Sequence, residues 1–310
     1  MSVAVAEIVR SGFVEGRHHG SVVALDADGR VAWSVGDVTS PILPRSTNKP
    51  LQAVAMVGLG LDLPPRLLAL AAASHSGEEI HLAGVREILG TAGLTEQALG
   101  NIADLPFDPG VRDRWLRDGR GPSKIAQNCS GKHAAMIATC VVRDWQLAGY
   151  VETDHPLQVL IQRRFEALTG EPAQVAVDGC GAPVLSASLT GLAGAFRTLA
   201  LATEGPERRV ADAIREFPEY VSGAARDELR LLRALPGAIG KLGAEAVYAV
   251  ALPDGRAVAL KIDDGGDRAR PVVMAEALRR IGVESTEVDA IGTHSLLGGG
   301  VPVGGIRASF

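Results

Sequence analysis

Residues 21–37, SVVALDADGRVAWSVGD, hold two apolar runs on either side of the polar tetrad DADG. Apolar runs flanking a short Asp/Gly turn predict a β-hairpin. From Lys49 to Gly90 the apolar spacing becomes helical, in PLQAVAMVGLGL, PRLLALAAAS and EEIHLAGVREILGTAG. A loop-rich stretch with Pro106, Pro109 and Pro122 follows, roughly 100 to 128. Helical spacing resumes in KHAAMIATCVVRDW and HPLQVLIQRRFEALTG, and again from SLTGLAGAFRTLALAT through ARDELRLLRAL. Near the end, EAVYAVALPDGRAVALKIDDG reads as a second hairpin with PDG as its turn. VVMAEALRRIGV then reads as a helix and GVPVGGIRAS as a last strand.

Strands at both ends with helices between them predict an α/β chain of layered α+β type. Its sheet is built from the N- and C-terminal segments and covered by a mainly helical insertion. The expected organisation is one catalytic unit over 1–310, with a sheet lobe of 1–45 plus 230–310 and a helical lobe of 46–229. Residue 46 then falls at the junction.

At 310 residues and 46% hydrophobic content, the chain is long enough for one large domain or two joined lobes. Twelve aromatics against 37 glycines leave the core to Leu, Val and Ala. The net charge is −5 and no basic stripe carries interleaved aromatics, which argues against a nucleic-acid partner. The N-terminal segment lacks a basic region followed by a long apolar core, and runs such as LLALAAAS are too short to span a bilayer. The expectation is a soluble cytoplasmic protein. Three cysteines, Cys129, Cys140 and Cys180, are too few for a disulfide framework and leave room for reduced thiols.

Candidate chemistry begins at PRSTNKP, where Ser46 precedes Lys49 by three residues and the two would share one helical face. A lysine accepts a proton only when neutral, so a free pKa near 10.4 must fall by about three units, roughly 4 kcal/mol. The bland alternative makes Ser46 a helix N-cap and Lys49 a solvated residue. In AAASHSGEE, Ser76 has the spacing of a capping box with Glu79, which leaves Ser74 free to face a cleft. In GAIGKLGAEAVYAV, Lys241 precedes Gly243 at a strand start, an order that resembles the Lys-Thr-Gly element of penicillin-recognising enzymes. Taken alone, it reads better as a surface lysine in a glycine-rich turn. QNCSGKHAAM and VDGCGAP each set a cysteine beside a glycine in a loop. Cys129, Lys132 and Cys180 could hold Zn²⁺ through two thiolates and a neutral amine; two small buried cysteines explain the same letters.

Together, Arg45-Ser46-x-x-Lys49-Pro50, ASHS at 73–76, NCSGKH at 128–133, DGC at 178–180 and GKLGAEAVYA at 240–249 resemble the L-asparaginase II family of rhizobial type. The order is the same and nearly the whole chain is covered. The resemblance implies a serine β-lactamase/glutaminase-like fold and hydrolysis of L-asparagine to L-aspartate and ammonia. It implies catalytic pairs Ser46–Lys49 and Ser74–Lys241, substrate contacts from Arg45 and Asp178, and a zinc-type site of Cys129, Lys132 and Cys180. It also implies a homodimer. The rivals are a glutaminase on the same fold, a penicillin-recognising serine hydrolase, and a non-catalytic zinc or amino-acid sensor.

Overall fold

The computed structural model describes residues 3–310. In chain order the chain forms β1 (Val3–Arg10), β2 (Phe13–Leu25) and β3 (Val31–Val35), then a 3₁₀ turn at Arg45–Asn48. Helices α1 (Lys49–Gly58), α2 (Pro65–Ala71), α3 (Glu79–Thr91), α4 (Pro109–Arg117), α5 (Ser130–Val142) and α6 (Pro156–Thr169) follow. A small hairpin of β4 (Val175–Val177) and β5 (Pro183–Leu185) leads to α7 (Leu189–Leu201), α8 (Gly205–Glu216), α9 (Pro218–Val221) and α10 (Asp227–Ala234). The chain closes with β6 (Ile239–Gly243), β7 (Val247–Ala251), β8 (Ala257–Ile262), α11 (Arg270–Arg280), α12 (Thr286–Ile291), β9 (His294–Gly298) and β10 (Val301–Ala308).

Two compact units divide these elements: Met1–Thr47, Ala187–Leu201 and Arg230–Phe310 in one, Asn48–Ser186 and Ala202–Leu229 in the other. The first holds an antiparallel eight-stranded sheet in the order β6-β7-β8-β2-β1-β10-β9, with β3 also paired to β2. The sheet thus joins both chain ends, β1 to β10 from Ala6↔Ala308 to Arg10↔Gly304, and β2 to β8 from Gly20↔Ile262 to Leu25↔Ala257. On one face Val22, Ala24, Tyr248, Val250, Val258 and Leu260 form a core with Val273, Met274 and Leu278 of α11. Alternate positions point the other way. These are Val23, Ala249, Ala251, Ala257 and Ala259, all buried and mostly small. α7, which sequence spacing places in the helical stretch, packs against β2, β7 and β8 of this sheet.

The second unit is helical. α1 packs against α5, α6 and α8, and α2 against α5, α8 and α9. α5 is buried from Ser130 to Cys140: Ala134–Ala138 is an apolar run, and the polar Ser130, Lys132, His133 and Thr139 each find a hydrogen-bond partner. Gly131 allows that burial, because a Cβ there would lie 2.5 Å from the Leu70 carbonyl oxygen.

Two local readings of the sequence change. α3 is capped by Glu78, whose side chain and His81 exchange bonds with the backbone in a capping box; the Ser76 hydroxyl donates to the Ser222 carbonyl instead. The Pro-rich stretch also contains α4, started by Asp108, which accepts from the Val111 N–H, and Pro109. Among the described residues no helix is long and apolar enough to cross a membrane.

Candidate active site

Within the sheet unit, Ser46 is buried in the turn that follows Arg45, where the Thr47 N–H donates to the Pro44 carbonyl. Arg45 has φ 54°, a left-handed conformation that a residue with a Cβ rarely adopts. Strain is therefore localised one residue before the candidate nucleophile. Asn48, not Ser46, occupies the N-cap position of α1. Lys241 lies in the middle of β6 and is fully buried, so the surface-lysine reading fails; its Nζ donates to the Leu242 carbonyl at 2.9 Å. Two residues on, Gly243 lies against the serine's turn: a Cβ there would sit 2.3 Å from the Pro44 carbonyl oxygen.

The helical unit gathers the other candidates. Lys49, the first residue of α1, is 1% exposed. Its Nζ donates to the Ala73 carbonyl at 2.6 Å, to Cys129 Sγ at 3.0 Å and to Ser74 Oγ at 3.4 Å. Lys132 donates to Cys180 Sγ at 3.3 Å, and Cys180 Sγ approaches Asp178 Oδ2 at 3.7 Å. Cys129 and Cys180 are both free thiols, and a hydrogen bond links their side chains. The hydrogen bond from Cys180, helped by Lys49 and Lys132, holds the Cys129 thiol well below its ordinary pKa against the effect of burial. The same bond, with burial, pushes Cys180 up, so ionisation of the pair is favoured at Cys129. Burial disfavours charge on Lys132, but Cys180, Cys129 and Asp178 outweigh it and raise its pKa. Cys140 stands apart, its thiol pushed up to about 11 by burial alone.

Among the described residues no three His, Cys, Asp or Glu side chains are placed to hold a metal. The thiol pair therefore depends on Lys132 for a third donor. Two adjoining cysteine sulfurs beside the Lys132 amine are a donor set that zinc could bind only by displacing their protons, the tightly held one on Lys132 included.

Two residues given no role by the sequence complete this region. His75 is fully buried. Its Nδ1 accepts from the Gly77 N–H at 3.2 Å and its Nε2 pairs with Ser130 Oγ at 2.8 Å, while Ser130 donates to the Ile125 carbonyl. Burial, then His81, Lys49 and Arg226, keep the ring neutral. The imidazole ties the Ser74 segment to the start of α5. Arg226 donates to the Ser74 carbonyl at 2.8 Å and stacks over Phe107 at 4.5 Å. Nothing in the letters around residue 226 announces this; His75 was at least inside a motif.

A model of the L-asparaginase II family matches residues 6–308. The chain belongs to that family, and so to an amidohydrolase lineage. Among solved structures, a β-lactamase from Mycobacterium bovis aligns with TM-score 0.50 and 15% identity over 85% of this chain and 95% of that one, which places the fold as β-lactamase-like. EstCE1, a hydrolase with promiscuous acyltransferase activity, aligns at TM-score 0.44 and 14% identity, covering 84% of this chain and 93% of its own. Mglu in its L-glutamate binding form aligns at TM-score 0.38 and 13% identity over 84% and 59% of the two chains. Curated proteins give no match.

Proposed function

We propose that this asparaginase II family member is an L-asparagine amidohydrolase. An amide carbon is a poor electrophile, and a hydroxyl nucleophile divides the reaction into acylation and deacylation. Ser46 attacks the side-chain amide and Lys49, as the free amine, accepts its proton. The amide nitrogen takes a proton through Ser74 and leaves as ammonia. Water then cleaves the β-aspartyl ester, releasing L-aspartate and restoring the hydroxyl. Lys241 is the second amine of the set. The N–H of Ser46 and one following Lys241 are assigned to the developing oxyanion. Arg45 is assigned to the α-carboxylate and Asp178 to the α-ammonium.

The observation that carries this reading is the buried amine of Lys49, a residue three positions after Ser46, held at the Ser74 hydroxyl. Cys129, Lys132 and Cys180 would hold zinc, which when bound supplies a fixed positive centre beside Asp178. Its assigned task is to order these loops.

A substrate panel tests the proposal: ammonia release from L-asparagine and L-glutamine, and colour from a chromogenic β-lactam. Asparagine turnover that exceeds glutamine turnover supports it. Preferred glutamine turnover replaces it with a glutaminase, β-lactam cleavage with a penicillin-recognising hydrolase, and no release from any substrate with a sensor. One methylene is worth only about 1–3 kcal/mol in a pocket, so both amides must be compared directly.

A further inference from the structure

A cavity of about 170 Å³ in the sheet unit is lined by no residue given a role above. Its wall includes Ser21 of β2, Asp37, Ile42, Leu189 of α7, Lys261 of β8 and Asp263 just beyond that strand.

Strand alternation sets the charges on one side. Val22, Leu260 and Ile262 belong to the core shared with α11, so Ser21, Lys261 and Asp263 point to the opposite face. The Asp263 N–H donates to the His19 carbonyl and so continues the ladder. Lys261 commits two donors to the Glu245 and Ile262 carbonyls, at 3.0 and 3.3 Å, and forms no ion pair among the described residues. The Asp263 carboxylate takes no hydrogen bond or ion pair among the same residues. Asp37 differs, because Ser40 and Thr39 already bond its carboxylate. An amine with one donor left and an unpaired carboxylate thus flank the space without meeting.

Size and charge narrow the occupant. The volume is close to the cavity of about 150 Å³ that admits benzene, so a nucleotide or a peptide does not fit. Two carboxylates against one amine disfavour a ligand of net negative charge. Burial lowers the Lys261 pKa, opposed by Glu245, Asp263 and Asp264, and a further carboxylate at the amine would favour its charged form. Ile42 and Leu189 supply an apolar wall for a short side chain.

We propose that this cavity binds a neutral α-amino acid, its carboxylate on Lys261 and its ammonium on Asp263. Binding does not rest on the amidohydrolase reading; an effect on turnover does. That effect follows from segment 36–47, which crosses one row of paired residues, Ser21, Lys261, Val247 and Gly243. Gly36 lies against Ser21 Oγ at one end of the row, and Pro44 and Thr47 lie against Gly243 at the other. An occupant at Lys261 therefore bears on the segment that ends in Arg45 and Ser46.

Isothermal titration calorimetry of the full chain with L-alanine, propionate and ethylamine tests the site. L-alanine should bind, and the other two, each lacking one charge, should bind at least about tenfold more weakly. Lys261→Met and the more conservative Asp263→Asn should each weaken L-alanine by a similar factor. No L-alanine binding at 10 mM (about the weakest affinity of interest), or binding unchanged in both variants, overturns the proposal. In the presence of L-asparagine, L-alanine should change kcat in the wild type and not in Asp263→Asn. Purely competitive inhibition that survives Asp263→Asn places L-alanine at the catalytic site and overturns it as well. Absence of ammonia release would remove the amidohydrolase reading, and the calorimetry would still decide the site.

Discussion

Lys49 Nζ lies 3.0 Å from Cys129 Sγ, across 80 residues of sequence, so the amine assigned as base is bonded to a sulfur assigned as metal ligand. The same amine reaches Ser74 Oγ and the Ala73 carbonyl, and these contacts fix its position inside a fully packed slot. Lys49→Met should therefore lower kcat by roughly 10²–10⁴ while the far-UV circular dichroism stays unchanged. Lys49→Arg should be no better, since a guanidinium keeps its proton and is too large for the slot. Ammonia release in either variant above a tenth of the wild-type rate would remove Lys49 as the base.

The Lys49 contact also separates the two cysteines. Protein purified without added metal should contain close to one zinc per chain by elemental analysis, and Cys129→Ala and Cys180→Ala should each reduce it sharply. Cys129→Ala should lower kcat further than Cys180→Ala, because only Cys129 anchors Lys49; Cys180 is held by Lys132. Equal kcat in the two variants, at saturating zinc, would contradict that division.

The hairpins and most helices were legible because their signals are local. Apolar runs flank the DADG and PDG turns, and α1, α5 and α6 repeat apolar positions at helical spacing. α4 was missed because PGVRDRWLR has too few apolar residues to show a period, although its Asp-Pro start is a helix signal. Lys241 alone read better as a surface lysine, since burial of a strand carrying Gly-Lys-Leu-Gly depends on neighbours that local patterns do not name. Motif order pointed to the candidate residues. It gave no hint of Arg226 on the Ser74 carbonyl, a bond spanning 152 residues.

Arg226 fixes the backbone of Ser74 while segment 221–224 braces the same loop: the Ser74 N–H donates to the Val221 carbonyl and the Ala224 N–H to Glu78. Arg226→Met should lower kcat about tenfold, in line with a lost charged hydrogen bond of about 1.5 kcal/mol, with a smaller change in KM. Arg226→Lys should recover part of the loss. A change confined to Tm would reduce Arg226 to a structural residue.

Asp37 gives a pH prediction in the sheet unit. The Ser40 N–H, the Ser40 hydroxyl and the Thr39 N–H bond its carboxylate at 2.9, 2.7 and 3.2 Å and hold its pKa at about 2. An unfolded aspartate titrates near 3.9. A depressed carboxyl stabilises the fold fully above the unfolded pKa and loses that contribution as pH falls through the folded one. Asp37→Asn should therefore lower Tm at pH 7, and the gap to wild type should close between pH 4 and pH 2. A gap that is constant across that range would rule out the carboxylate charge as its cause.

Gly243 offers the sharpest test of the serine's turn. A Cβ at this position meets the Pro44 carbonyl oxygen at 2.3 Å and Thr47 Oγ1 at 2.7 Å, so an alanine must push the turn that bears Ser46 away from β6. Three strand positions earlier, a Cβ on Gly240 meets the Ala249 carbonyl and Val250 at 3.2 Å and Leu232 at 3.4 Å, contacts that yield by a few tenths of an ångström. Overpacking of this kind costs about 1–3 kcal/mol, so both Gly243→Ala and Gly240→Ala should lower Tm. Only Gly243→Ala should lose kcat beyond what its folded fraction explains, because it alone displaces the candidate nucleophile. Full turnover per folded molecule in Gly243→Ala would mean that the position of Ser46 against the end of β6 does not matter to the reaction, and the assignment of Ser46 would have to be abandoned.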